Sequence, residues 1–171
     1  YPEKSNIEKG YYMTHPGQLL REKNLYAGKE KGQNFLANPG IAKMIIEKIG
    51  LSNDTRVLEI GPGLGALTIP IARAALHVTA VETDARLIPL LQQELDNENL
   101  KNVTIIHKNI LKIDIADLSC DKKFVVIGNL PYNISSQILI KLVEERRCIE
   151  TAFLMFQKEL AKRIIAKPGK R

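Results

Sequence analysis

Arg56-Val-Leu-Glu-Ile-Gly-Pro-Gly-Leu-Gly-Ala-Leu-Thr68 decides the fold. A short, β-branched apolar run ends in three glycines at alternate positions, at 61, 63 and 65. The run reads as a buried strand and the glycines as a tight turn. A helix follows to about residue 75, with Pro70 expected to kink it. In a doubly wound sheet the first such turn is where a nucleotide-like ligand meets bare backbone, because side chains would block its approach.

Outward from this turn the same alternation continues. Upstream, Asn38-Pro39 supplies a cap and a first-turn proline for a helix whose Ile41, Ile45, Ile46 and Ile49 recur at helical spacing, ended by Gly50. Downstream, His77–Glu82, Val103–His107, Phe124–Ile127 and Thr151–Phe156 read as further strands. Between them, Asp84 is expected to cap a helix carrying Leu87, Leu90, Leu91 and Leu95. Ser135 or Ser136 should cap another with Ile138, Leu139, Leu142 and Val143, and a last helix runs from Lys158 to Ala166. The pattern is α/β: a Rossmann-like, doubly wound, mostly parallel sheet.

The chain has 171 residues, 44% hydrophobic, 26% charged and 5% aromatic, a soluble globular composition. It divides into a polar, basic arm at 1–31 and one domain at 32–171. No run approaches the ~20 apolar residues of a membrane span, and Tyr1-Pro-Glu-Lys-Ser-Asn6 is no secretory signal, so a cytoplasmic location and no membrane partner are expected. Cys120 and Cys148 lack zinc-site spacing and read as reduced thiols; His15, His77 and His107 are scattered, and no metal is expected.

Glu82 follows Gly61 by 21 residues and ends the second strand, the spacing at which a carboxylate accepts hydrogen bonds from ribose hydroxyls. Together they imply an adenosine-bearing cofactor. The glycine pattern fits both a nicotinamide cofactor and S-adenosylmethionine. Pro62 favours the second, since a pyrophosphate wants a full cradle of N–H donors and S-adenosylmethionine has no phosphate. The plain structural alternative is a tight turn beside a solvated Glu.

Asn129-Leu130-Pro131-Tyr132 follows the fourth strand at the carboxyl edge of the sheet. An exocyclic amine on a base is a poor nucleophile because its lone pair is delocalised into the ring, and it needs acceptors for its hydrogens rather than a strong base. The Asn129 side-chain carbonyl and the Leu130 backbone carbonyl could accept them, Pro131 would stiffen the turn, and Tyr132 offers a ring for an extruded base. The structural alternative is an Asn-Pro turn and a core tyrosine.

The 25 basic and 19 acidic side chains give a net charge of +6. Residues 32–140 carry 10 basic and 11 acidic groups, whereas 141–171 carry 9 and 4, so the excess sits at the ends. Arg146, Arg147, Lys158, Lys162 and Arg163 are candidate contacts to RNA phosphate, against the alternative of a solvated helix face.

With these residues placed, the chain resembles the small-subunit ribosomal RNA adenine dimethyltransferase family. Gly32-Gln-Asn-Phe-Leu36 is similar to that family's opening motif, Glu59-Ile-Gly-Pro-Gly-Leu-Gly-Ala-Leu-Thr68 to its cofactor turn, and Gly128-Asn-Leu-Pro-Tyr-Asn-Ile-Ser-Ser136 to its catalytic loop. The resemblance implies a class I S-adenosylmethionine-dependent enzyme that dimethylates adenine amino groups in small-subunit rRNA, acting as a monomer on rRNA or a partly assembled subunit during ribosome biogenesis. It counts Gln33 among the cofactor-binding residues and places Asn34 and Leu36 over the methionine end of the cofactor, Gly61 and Gly63 along its path, Glu82 on the ribose and Asn129 against both cofactor and target amine. Where the family has Asp on the cofactor adenine, this chain has Asn109, which implies weaker but surviving binding. The family continues past the Lys-Pro-Gly segment with two strands and a helical domain, so this chain reads as truncated there.

Three rival functions share parts of this pattern. A large-subunit rRNA adenine methyltransferase conferring macrolide-type resistance shares the Asn-x-Pro-Tyr loop but usually lacks Gly-Pro-Gly. A non-catalytic ribosome-assembly or transcription-accessory factor is opposed by intact Asn129 and Tyr132. A nicotinamide-dependent oxidoreductase is opposed by Pro62.

Overall fold

The computed structural model describes residues 39–118 and 122–166. The arm at 1–31, the Gly32–Leu36 motif, Asn38 and the tail from 167 lie outside them.

Five strands form one all-parallel sheet: β1 (Arg56–Ile60), β2 (His77–Glu82), β3 (Val103–His107), β4 (Phe124–Asn129) and β5 (Ile149–Met155). Their order is β3-β2-β1-β4-β5. The chain runs outward from β1 to β3, then crosses back to lay β4 on the other side of β1. The carboxyl ends of β1 and β4 therefore flank the point where the winding reverses, where doubly wound sheets bind ligands.

Side-chain alternation along the strands divides the core between two faces. On one, Leu58, Ile60, Phe124 and Val126 pack against Ile113, Ile115 of α4 (Ile115–Leu118), and Ile138 and Leu142 of α5 (Ser135–Glu144). On the other, Val57, Val78, Val125 and Ile127 meet Ala42 of α1 (Pro39–Ile49) and Ile71 and Ala72 of α2 (Thr68–Ala74). Leu91 and Leu95 of α3 (Ile88–Asn97) pack on Ile69. Each fully buried Leu or Ile side chain contributes about 1.5–3 kcal/mol. The Asn102 amide closes the end of α2 by donating to the carbonyls of Ala72 at 2.7 Å and Ala75 at 3.0 Å.

Three local expectations are corrected. Pro70 does not interrupt a helix: it is the third residue of α2, in the turn whose N–H groups have no intrahelical acceptor. Asp84 does not cap α3, which starts at Ile88 with Leu87 at the cap position. The Asp84 carboxylate is taken by Arg86, at 2.9 Å from Nε and 2.6 Å from Nη2. Ser135 is the first residue of α5 and its hydroxyl donates to the Pro131 carbonyl at 2.5 Å, while Ile134 occupies the cap position.

Strand ends also move. β4 extends two residues further, to Asn129, and β5 begins two residues earlier, at Ile149, because a 3-10 turn at Arg146–Cys148 delivers the chain straight into it. The last helix, α6, spans Lys158–Ile164. Among the described residues β5 pairs with β4 alone and is the edge of the sheet.

Candidate functional site

The glycine turn leaves the centre of the sheet. Gly61 has φ +72°, a left-handed conformation that disfavours any side chain, and its N–H donates to the Val81 carbonyl at 3.0 Å. A Cβ on Gly61 would lie 3.9 Å from the Asn129 carbonyl oxygen. The turn after β1 and the loop after β4, separated by about half of the domain in sequence, are therefore neighbours.

Gly128 explains how closely they fit. A Cβ there would sit 2.9 Å from Leu130 Cδ2, 3.2 Å from the Ile60 carbonyl oxygen and 3.3 Å from Ile60 Cβ. A larger residue there obliges the Leu130 side chain and the Ile60 backbone to give way. Beyond Gly128, Asn129 is half-buried and Leu130 buried, whereas Tyr132 is 60% exposed. Tyr132 is thus no core tyrosine. The loop is held at both ends: the Leu130 N–H donates to the Met155 carbonyl at 3.2 Å, and Pro131 accepts from Ser135.

Glu82 is buried at the end of β2 and organises the other side of the site. Oε2 accepts from the Gly63 N–H at 3.1 Å, and Oε1 accepts from the N–H groups of Thr83 and Asp84, each at 2.8 Å. One carboxylate thereby ties the glycine turn to the end of the neighbouring strand with charge-assisted bonds. It is not a solvated Glu.

Asn109 follows β3, and its Oδ1 accepts from the Leu111 N–H at 3.0 Å, capping the 3-10 turn Ile110–Lys112. An amide oxygen has a second lone pair, so the cap does not exhaust it. Gly61, Gly63, Glu82, Asn109, Asn129 and Tyr132 all lie at or just beyond the carboxyl ends of the strands. Gln33, Asn34 and Leu36 lie outside the described residues.

The basic candidates separate. Lys158, Lys162 and Arg163 are exposed on α6, which follows the carboxyl end of β5, on the edge that carries Asn129. Arg146 and Arg147 precede β5 and so lie at its opposite end, about 20 Å away along a strand of this length.

In the sequence Glu59 is no more than a letter of the glycine motif. In the structure it is 2% exposed in the central strand, on the face it shares with Val57 and towards α2. Burial pushes its carboxyl up to about 8; the Thr68 hydroxyl eases that rise and the Glu82 charge adds to it. Among the described residues, Glu59 Oε2 has no hydrogen-bond partner, and the Thr68 hydroxyl at the start of α2 is the polar group that acts on the carboxyl. A carboxylate at an inward position of an otherwise apolar strand was the sequence signal for it.

Among the described residues no cluster of His, Cys, Asp and Glu could hold a metal, and no helix is long and apolar enough to cross a membrane.

Comparisons with known proteins agree with one another. The sequence model of the family described as ribosomal RNA adenine dimethylase matches residues 26–171. Ribosomal RNA small subunit methyltransferase A of Desulforapulum autotrophicum is 56% identical over 159 residues, which is 93% of this chain and 56% of that protein. The chain thus spans little more than half the length of this relative. Among solved structures, a dimethyladenosine transferase from Plasmodium falciparum superposes with a TM-score of 0.69 at 34% identity, over 80% of this chain and 48% of its own. The 23S rRNA methyltransferase ErmE does so with 0.67 at 33% identity, over 75% and 50%. The sequence match and the shared parallel-sheet architecture carry one conclusion: this chain belongs to the ribosomal RNA adenine dimethylase family.

Proposed function

We propose that this chain binds S-adenosylmethionine at the turn 61–65 and presents an adenine amino group of small-subunit rRNA to it at Asn129–Tyr132, giving dimethyladenosine. The observation that carries the reading is the approach of the two motifs, Gly61 to the Asn129 carbonyl oxygen, at the point where the sheet reverses its winding. Choice of the small subunit rests on the name of the 56% identical relative.

The residues fit such a cofactor. The turn offers no side chain at Gly61 or Gly63, and Pro62 removes an N–H that only a phosphate would need. Glu82 would take the ribose hydroxyls, Asn109 the adenine amine, and Asn34 and Leu36 the methionine end, with Gln33 a further cofactor contact. The bound cofactor supplies a methyl group already activated on a sulfonium.

The protein's task is positioning. Asn129 Oδ1 and the Leu130 carbonyl would accept the two hydrogens of the target amine and aim its lone pair. Tyr132, exposed at the rim, would stack on the extruded base, a contact worth about 1–3 kcal/mol. Lys158, Lys162 and Arg163 on the same edge would hold RNA phosphates, with Arg146 and Arg147 forming a separate, more distant contact.

The test is transfer of labelled methyl from S-adenosylmethionine to undermethylated small ribosomal subunits, with the product nucleosides identified. Label in dimethyladenosine of small-subunit rRNA is expected. Label confined to large-subunit rRNA would move the assignment to the resistance-type enzyme, and cofactor binding without any transfer would leave only a non-catalytic role.

A further inference from the structure

Burial does not place Tyr132, which is 60% exposed at the rim of the loop after β4. Its position depends on the backbone that leads to it. Leu130, just upstream, is buried, its N–H donates to the Met155 carbonyl at 3.2 Å, and the proline after it restricts it to extended backbone. Pro131 has its φ set by its own ring and carries no N–H. Its ψ is the first soft dihedral of the loop, and that angle sets both the direction of the Pro131 carbonyl and the peptide that leads into Tyr132.

The Pro131 carbonyl is held from the far side of the loop. Ser135, 1% exposed at the first position of α5, donates its hydroxyl to that oxygen at 2.5 Å. Among the described residues the other donor to it is the Ile134 N–H at 3.4 Å, long for such a bond. A serine at the start of a helix ordinarily turns its oxygen to accept a backbone N–H, whereas this one is used as a donor on the loop. The helix behind it is anchored, since Ile138 and Leu142 are buried in the core and the Ile138 N–H bonds the Ile134 carbonyl at 3.0 Å.

We propose that Ser135 is a positioning residue for the target base: through the Pro131 carbonyl its hydroxyl fixes the peptide that carries Tyr132, and so sets where the ring meets the extruded adenine. The inference rests on the stacking role proposed above for Tyr132. Ser135 touches neither the base nor the methyl donor and acts through Tyr132 alone. Removing the hydroxyl frees the ψ of Pro131, and an exposed ring on a freed backbone spends part of its time away from the stacking position. Asn129, paired with Met155 at the end of β4, and Leu130 keep their own supports. The loss therefore falls on presentation of the base and not on cofactor binding.

A double-mutant cycle read by methyl transfer to undermethylated small ribosomal subunits tests this. With Tyr132 in place, Ser135→Ala should lower kcat/KM about tenfold while affinity for S-adenosylmethionine, measured by calorimetry, stays unchanged. Combined with Tyr132→Ala, where no ring remains to be placed, the same substitution should cost less than about twofold. A hydroxyl that merely supports the fold would cost the same in both backgrounds. Ser135→Cys keeps the volume and only a weak donor; it runs the same cycle should the alanine variant not fold, and its loss should likewise vanish without Tyr132. Equal losses in the two backgrounds, a wild-type rate in Ser135→Ala, or a matching fall in cofactor affinity overturns the role of Ser135 while leaving the methyltransferase reading intact. Absence of transfer by the wild type overturns that reading itself, and this inference with it.

Discussion

Glu82 Oε2 accepts a hydrogen bond from the backbone N–H of Gly63 at 3.1 Å, so the residue proposed for the ribose also holds the turn proposed to line the cofactor. Substitution therefore acts twice. Glu82→Ala removes the ligand contact and leaves the N–H groups of Gly63, Thr83 and Asp84 without their acceptor. Hydrogen bonds to a charged group contribute about 1.5–3 kcal/mol each, so cofactor affinity should fall by about 10- to 100-fold and the melting temperature should drop as well. Titration calorimetry beside thermal unfolding checks both. An unchanged dissociation constant would remove Glu82 from the site.

Gly128→Ala tests the catalytic loop without touching a reacting group. The added methyl meets backbone at Ile60 as well as the Leu130 side chain, and the loop must shift to admit it. The backbone contact at 3.2 Å calls for a displacement well short of the 1 Å that costs about 100-fold in an oriented reaction, so a loss of about 3- to 10-fold is expected. Methyl transfer should fall by that order while cofactor binding changes little, which kinetics and calorimetry on the same preparation separate.

Asn109→Asp should strengthen cofactor binding. A carboxylate accepts more strongly than an amide from the adenine amino group and also caps the 3-10 turn at Leu111 at least as well. A gain of about 3- to 10-fold in affinity is expected. A loss would show that Asn109 serves only its local cap.

Stability should depend on pH through Glu59. Its carboxyl titrates near 8 in the fold against an ordinary value of 4.5, so the folded state holds a proton that the unfolded chain releases. That contribution is complete below pH 4.5 and is lost as pH rises towards 8. Glu59→Gln should accordingly melt at a higher temperature than the wild type at pH 8, by about 2–4 °C for each kcal/mol recovered, and show no such advantage near pH 4. Thermal scans of both proteins across that range give the answer.

The two basic groups should differ in effect. Replacing Lys158, Lys162 and Arg163 by Gln should weaken RNA binding and flatten its salt dependence by about 0.7–0.9 in logarithmic slope for each phosphate left without its cation. The pair Arg146 and Arg147, beyond the far end of β5, should matter less to turnover than to total RNA affinity. Equal reductions of turnover from both sets would contradict the separation seen along the strand.

The strands β1, β2 and β3 were legible residue for residue, because each is a short run rich in β-branched residues bounded by turn residues, whether buried as β1 and β2 are or partly exposed at the sheet edge as β3 is. The glycine turn and the Asn129 loop were legible for a different reason: close backbone approach tolerates few residue types. Caps were not. Asp84 and Ser135 have the chemistry of helix caps, but Arg86 and the Pro131 carbonyl compete for their side chains, and sequence does not reveal a competitor. The basic residues mislead by adjacency, since Arg147 and Lys158 are close along the chain while an entire seven-residue strand stands between them. Glu59 was hidden in plain view, because a motif letter says nothing of how deeply a carboxyl is sunk.

A single ladder joins Ile60 to Gly128. Donor turn and acceptor loop grow from adjacent strands, whose separation is set by backbone hydrogen bonding at about 4.8 Å and not by the packing of any side chain. The spacing between the proposed donor turn and acceptor loop is thus inherited from the sheet's own repeat.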